Sequence, residues 1–326
     1  MEYDVIVVGG GPAGLAAACY ALQAQLTVAL VAPTLGGKIS HPFQLRGLPA
    51  VESARGADLI QQFEAFVEAK ATALIPQEAK HVEQCRCGGF QLTLENTDLV
   101  SGRSLIVCTG SQPQRLYVPG EQDFIGRGVS FSATSHAQFF SKRNVAVVGG
   151  ERALAAVAKL APIVNSVAYV LARECELMDS ALTEKVLRDP KVHIFRDWEV
   201  QQIVGDQFVT GLVLVAVNGE SRTIPVDGVF IELGLLPNND LVHDLVCLDS
   251  GGHIVVNHRC ETEIPGLFAA GDVTNVYAEQ VPIAIGEGVK AALSAWSYLA
   301  LHKLVASLFI GDFDTQEEGC EQWKPS

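Results

Sequence analysis

The chain has 326 residues, 48% hydrophobic and 18% charged, with a formal net charge of −14. That length allows two domains with separate cores, and the acidic balance argues against nucleic acid or an anionic membrane surface as a partner. The N-terminus enters a strand-like run directly and the most apolar late stretch, 292–310, is broken by His302 and Lys303. No secretory signal or membrane span is therefore expected, and a cytoplasmic setting is predicted.

In chain order, "YDVIVVGGGPAGLAAACYA" (3–21) reads as a buried strand, a glycine turn and a helix over about 12–24. "LTVALVAP" continues as a second buried strand. A helix follows at about 55–70, then the alternating strand "FQLTLEN" and the apolar strand "SLIVCTG" (104–110). Residues 112–128 carry Pro and Gly and read as a connector. A second strand–turn–helix, "NVAVVGGERALAAVAKLA" (144–161), repeats the first at an offset of 140 residues. It is followed by a strand "SVAYVLA", a helix near 180–188, the segments "VDGVFIELGLLPN" and "IPGLFAAGDV" (264–273), and a helix from about 283 to 304. Residues 312–326 form a polar acidic tail that cannot build a core.

The first turn has the chemistry of a dinucleotide site. Gly9 permits the tight turn, Gly11 lets backbone approach a pyrophosphate, and Gly14 lets helix and strand pack closely. The phosphates then face the helix N-terminus. The acidic ribose ligand expected near position 32 is absent, because that residue is Ala32. At the places matching the three glycines, the second turn has Gly149, Glu151 and Leu154. The Glu151 carboxylate would fill and repel the space a pyrophosphate needs.

The eight cysteines, Cys19, Cys85, Cys87, Cys108, Cys175, Cys247, Cys260 and Cys320, show no C-x-x-C and no zinc spacing, and no metal site is expected. Cys19 and Cys108 fall in segments expected to be buried. Cys175, Cys247, Cys260 and Cys320 stay open as partners in any redox disulfide. Cys175 lies beside the second glycine turn, while Cys320 lies in the tail near Trp323, which is read as a stacking group that folds over a flavin, against the plainer alternative of a disordered terminus.

"GLFAAGDV" with "VCTG" and the first turn resembles the pyridine-nucleotide-disulfide oxidoreductases, and the likeness sharpens to the low-molecular-weight thioredoxin reductases. "LGGKI", "CTGSQP", "FIGRGVSFSAT", "ELGLLPN" and "AEQVPIAIGEG" follow in the order of that family. The resemblance implies an α/β fold of two Rossmann-like, three-layer β/β/α domains. An FAD domain would be built from 1–113 and 245–311, with a second nucleotide domain, 114–244, inserted. It implies a first FAD site of Gly9, Gly11, Pro12, Ala13, Gly14, Gly36, Gly37, Thr109, Gly110, Gly271, Asp272, Gln280 and Val281, with Asp272 on the ribitol. It also implies a homodimer.

The chain departs from that family at the chemistry. Where the reductases hold C-A-T-C and an acidic proton donor, this sequence has Ser132, Ala133, Thr134, Ser135 and His136. Hydroxyls cannot form a disulfide. Where a basic cluster would clamp the NADP phosphate, "LARECEL" keeps only Arg173, with Leu171, Ala172 and Leu177 at the other positions. NADPH is therefore not expected. Together the two losses resemble the cyanobacterial diflavin-linked disulfide oxidoreductases, which implies two FAD per chain, the second near Gly149, Gly150 and Arg173. Electrons would pass between flavin and a dithiol or disulfide, on a small molecule or a protein partner. Two other readings stay open, a ferredoxin-coupled flavin reductase and a non-catalytic flavin-binding redox sensor.

Overall fold

A computed structural model of the chain describes residues 2–40, 43–48, 57–85, 88–172, 175, 177–178 and 180–309. β1 (Glu2–Val8), α1 (Pro12–Gln23) and β2 (Val28–Val31) lead to a 3-10 turn at Gly37–Ser40. Next come α2 (Ala57–Lys70), β3 (Ala73–Ile75), β4 (Ala79–Gln84), β5 (Phe90–Leu94) and β6 (Leu99–Val107). β7 (Ser111–Pro113), β8 (Val129–Ser130) and the short helix α3 (Ala133–His136) precede β9 (Asn144–Gly149). Then follow α4 (Glu151–Leu160), β10 (Ser166–Leu171), α5 (Ala181–Leu187) and β11 (Val192–Phe195). β12 (Trp198–Gly205), β13 (Val209–Ala216), β14 (Ser221–Pro225), β15 (Gly228–Ile231), β16 (Leu235–Pro237), β17 (Leu267–Ala269) and α6 (Val281–Phe309) complete the order.

The first sheet runs β3-β2-β1-β6-β5-β4. β6 serves it twice: residues 99–102 pair antiparallel with β5, and residues 105–107 pair parallel with β17. Strand β17, from late in the chain, thus lies in the same sheet as β1. Val5 to Val8 are buried, as expected for a central parallel strand covered on both faces. In β5 only Phe90, Leu92 and Leu94 are buried, the alternation of a strand with one face inward. α1 carries no charged residue and fits between the sheet and α6, and its packed face shares one core with Val5, Val7, Ile106 and Phe268. The opposite face of the sheet packs Ile6, Val8, Leu105 and Val107 against β5 and the residues around Val242 and Ile254. Helices on one face and strands on the other make a three-layer unit.

The second sheet, β11-β10-β9-β15-β8, is parallel in every pairing and repeats the plan. α4 packs on one face around Phe140, Tyr169 and Phe230; the antiparallel sheet β12-β13-β14 covers the other through Leu212, Leu214 and Ile224. The fold is the expected α/β arrangement of two Rossmann-like units. The stretch read as a connector, 112–128, begins within β7, which pairs antiparallel with β16. The last helix is longer than expected, at Val281–Phe309. Among the described residues no helix is long and apolar enough to cross a membrane.

Candidate functional site

The first glycine turn joins β1 to α1. A side-chain carbon at Gly14 would strike the Gly9 carbonyl, and one at Gly9 (φ +114°) would strike the Cys108 carbonyl. Gly11 differs. It caps α1 with φ −77°, and an added carbon there meets nothing nearer than Gly37 Cα at 4.0 Å. The space above Gly11 is open, and a larger side chain would fill it. Behind it the first N–H groups of α1 lack helical acceptors, and its first turn holds no acidic residue. Such a cradle fits a phosphate.

Three further segments close on the cradle. Gly36 N–H donates to the Gly10 carbonyl at 2.8 Å, and a carbon added at Gly37 would sit 2.9 Å from Gly11 Cα. Gly271 (φ +79°) rests against Ala13, and Gly288 of α6 against the Ala13 backbone. The Glu287 carboxylate holds the turn by accepting from Gly271 N–H at 3.1 Å and Thr274 Oγ1 at 3.4 Å. Asp272 is ion-paired with Lys38 at 2.5 Å. Thr109 Oγ1 donates to the Asn238 carbonyl at 2.6 Å, and Asn238 Nδ2 donates back to the Thr109 carbonyl at 2.9 Å. Gly110 accepts from Asn238 N–H. Gln280 Nε2 donates to the Glu279 carbonyl at 2.9 Å, just before Val281 opens α6. Glu287, Asn238 and Lys38 escaped the sequence reading, although the quoted "GEG", "LLPN" and "LGGKI" contain or touch them.

The second turn is one residue shorter. β9 ends at Gly149, Gly150 caps α4, and Leu154 N–H bonds to the Gly150 carbonyl as Leu15 N–H bonds to Gly11. This corrects the matching of the two turns: Ala153, not Leu154, takes the helical place of Gly14, and Glu151 that of Pro12. Gly149 keeps the role of Gly9 at φ +147°, packed on Glu232 where Gly9 packs on Cys108. The space above Gly150 is not open, because an added carbon would lie 2.6 Å from Cys175 Sγ. Tyr169 Oη donates to the Gly150 carbonyl at 2.8 Å. Glu151 puts a carboxylate in the first turn of α4, where an anion complements the helix dipole. Arg173 lies outside the described residues, as do Cys87 and the tail with Cys320.

Glu232 is buried, and burial pushes its carboxyl above the usual range. The Ala133 N–H at 2.7 Å and Arg152 at 3.5 Å oppose that shift. Arg152 also pairs with Glu279 at 3.0 Å, which joins the second turn to the residue before Gln280.

Ser132 caps α3 and accepts from Ser135 N–H at 3.3 Å, while its own hydroxyl donates to Ser135 Oγ at 3.2 Å. His136 Nδ1 lies 2.7 Å from Ser130 Oγ, and the ring stacks on Phe43 at 4.2 Å between centroids. Burial holds its imidazole down at about 4. The serines thus serve a cap and a hydrogen-bond cluster.

Among the described residues no two cysteines are joined by a disulfide. Burial pushes the Cys19 and Cys260 thiols up to about 11 and raises Cys108 as well. Such thiols are poor nucleophiles at neutral pH, and Cys260 lies fully buried in the core shared by α1 and α6. Cys247 is exposed, and hydrogen bonding to Glu263 raises its thiol. Among the described residues no cluster of three or more His, Cys, Asp or Glu could hold a metal ion.

The chain is similar to a thioredoxin reductase from Streptococcus pyogenes MGAS5005, at 29% identity and a TM-score of 0.82 over 92% of this chain and 99% of that one. A thioredoxin reductase from Giardia duodenalis superposes with a TM-score of 0.79 at 26% identity over 92% of this chain and 99% of that one. Among curated relatives, "NADH dehydrogenase" of Bacillus subtilis is 35% identical over 91% of this chain and 58% of its own length. A component of alkyl hydroperoxide reductase in Staphylococcus aureus is 33% identical over 91% of this chain and 59% of its own length. The chain thus spans under two thirds of these curated relatives. The sequence matches the family over residues 3–288, and with the doubled strand–turn–helix plan it places the chain among the pyridine nucleotide-disulphide oxidoreductases, FAD-binding oxidoreductase enzymes.

Proposed function

We propose that this chain is an FAD-dependent oxidoreductase carrying two flavins, which passes electrons between flavin and a thiol or disulfide without NADPH. The observation that carries the reading is the contrast at the glycine turns. The first leaves open space above Gly11; the second is shortened, covered by Cys175 and given its own anion, Glu151. A nicotinamide dinucleotide seated there as on the first turn needs close backbone approach and basic residues for its phosphates, and neither favours it here; a second flavin in this unit must set its own diphosphate away from Gly150. In this reading residues 1–113 with 245–311 hold the first FAD and residues 114–244 the second ligand. The molecule works as a cytoplasmic homodimer with a dithiol or disulfide partner.

Bound flavin would supply two-electron redox chemistry. The chain's own groups bind and orient: the N-terminus of α1 with Gly9, Gly11 and Gly14 takes the phosphates, and Asp272 takes a ribitol hydroxyl. Ser132 and Ser135 offer no sulfur, so the reacting thiols must come from elsewhere. Cys175, beside Gly150, is the described cysteine nearest to that task.

The name of the Bacillus subtilis relative, "NADH dehydrogenase", supplies the competing reading, reduction by NADH through the retained Gly149 turn. Anaerobic mixing decides between them. The flavin absorbance should bleach with excess dithiothreitol and stay oxidised for minutes with NADPH or NADH. Rapid bleaching by either nucleotide would overturn the proposal.

A further inference from the structure

Lys38 follows the glycine pair that presses on Gly11, and its ammonium group reaches across the fold. It lies 2.5 Å from Asp272 Oδ2 and donates to Ser111 Oγ at 3.0 Å. Three segments far apart in sequence, at 38, 111 and 272, thus meet on one cation beside the phosphate cradle. Asp272 is largely buried, with 14% of its side chain exposed, so a cation beside it offsets the cost of desolvating the carboxylate. Lys38 itself is 47% exposed on a four-carbon stem with several rotatable bonds.

A dinucleotide brings a diphosphate to a protein whose formal net charge is already −14. Helix α1 carries no basic side chain to receive it, only backbone donors. A local cation would make that approach more favourable.

We propose that Lys38 is a further FAD-binding residue: it neutralises Asp272 before loading and then moves to the cofactor's diphosphate, which frees Asp272 to accept from the ribitol. This rests on the reading of the first turn as the FAD site. The exchange sets the ammonium on a diphosphate with two charges instead of a carboxylate with one, while the ribitol hydroxyl replaces the ammonium as donor to Asp272. It couples loading to charge, so FAD affinity should fall with salt more steeply than that of riboflavin, which has no phosphate.

The test uses protein freed of flavin and follows quenching of flavin fluorescence at low and high salt, with thermal melting as a check on folding. Lys38→Gln should weaken FAD about tenfold at low salt. It should also flatten the salt dependence without weakening riboflavin, while Lys38→Arg keeps the wild-type pattern. Unchanged FAD affinity in Lys38→Gln, or an equal loss for riboflavin, overturns the proposal. Gly11→Val separates this from failure of the site itself. Its backbone suits any residue and its side chain has room, so it should fold and lose FAD. If Gly11→Val keeps FAD, the cradle reading fails and Lys38 falls with it. If Gly11→Val loses FAD and Lys38→Gln does not, only Lys38 is wrong.

Discussion

The two glycine turns begin alike and end differently. Each follows a buried parallel strand, and each keeps a glycine with positive φ under a carbonyl of the neighbouring crossover, Cys108 in one and Glu232 in the other. Beyond that point the first turn runs one residue longer before its helix. That extra residue sets Gly11 over open space and brings Gly14 onto the Gly9 carbonyl. The shorter turn starts α4 early, with Glu151 supplying the anion that a bound phosphate would otherwise provide. A binding turn leaves its helix dipole unanswered, and here one of the two has been answered internally.

The comparison breaks most sharply at the helix–strand contact. Gly14→Ala forces α1 off β1 and should cost about 3 kcal/mol or more, with loss of bound flavin. Ala153→Gly at the corresponding place should cost only about 1 kcal/mol, the usual penalty for a glycine in a helix. Urea melts of the two variants check this, and equal costs would mean that the turns are not related as described.

Acid should separate the units next. The unfolded chain protonates His136 near 6.5, while burial holds the folded group at about 4. Its contribution is complete above the unfolded value and is lost as pH falls from 6.5 toward 4, by at most about 3 kcal/mol. Wild type should therefore lose stability between pH 7 and 4.5, and His136→Gln should lose measurably less. A parallel decline in both would locate the acid sensitivity elsewhere.

How much of this was legible in the sequence differs between the turns. The spaced glycines and the apolar run of β1 revealed the first turn, because close packing demands glycine and a central strand demands continuous apolar residues. "GLFAAGDV" revealed the late strand and Asp272 by its order in the chain. The second turn was matched residue for residue, which put Leu154 opposite Gly14. The missing residue leaves no mark in composition, since turn length is set by hydrogen bonds such as Leu154 N–H to Gly150. The Lys38–Asp272 pair, 234 positions apart, and the Arg152–Glu279 pair, 127 apart, were invisible for the same reason. Nothing local in either segment announces a partner brought up by the fold.

Two smaller effects sharpen the picture. Glu279→Gln removes one carboxylate from a half-exposed Arg152 and should lower stability by about 1 kcal/mol or less, with the loss reduced in high salt. Cys175→Gly uncovers Gly150, and melting should move little. If the thiol is what keeps phosphate away from the second turn, NADPH affinity measured by fluorescence should rise in that variant. An unchanged affinity would assign the exclusion to Glu151.

The central claim is that one turn receives FAD with open space, while the other is closed to a nicotinamide diphosphate and its unit holds a second flavin placed differently. The direct measurement is the ratio of FAD to protein, from the absorbance of heat-released flavin against total protein. A ratio close to two per chain is predicted. A ratio close to one would contradict the diflavin assignment and leave the second unit without its proposed ligand.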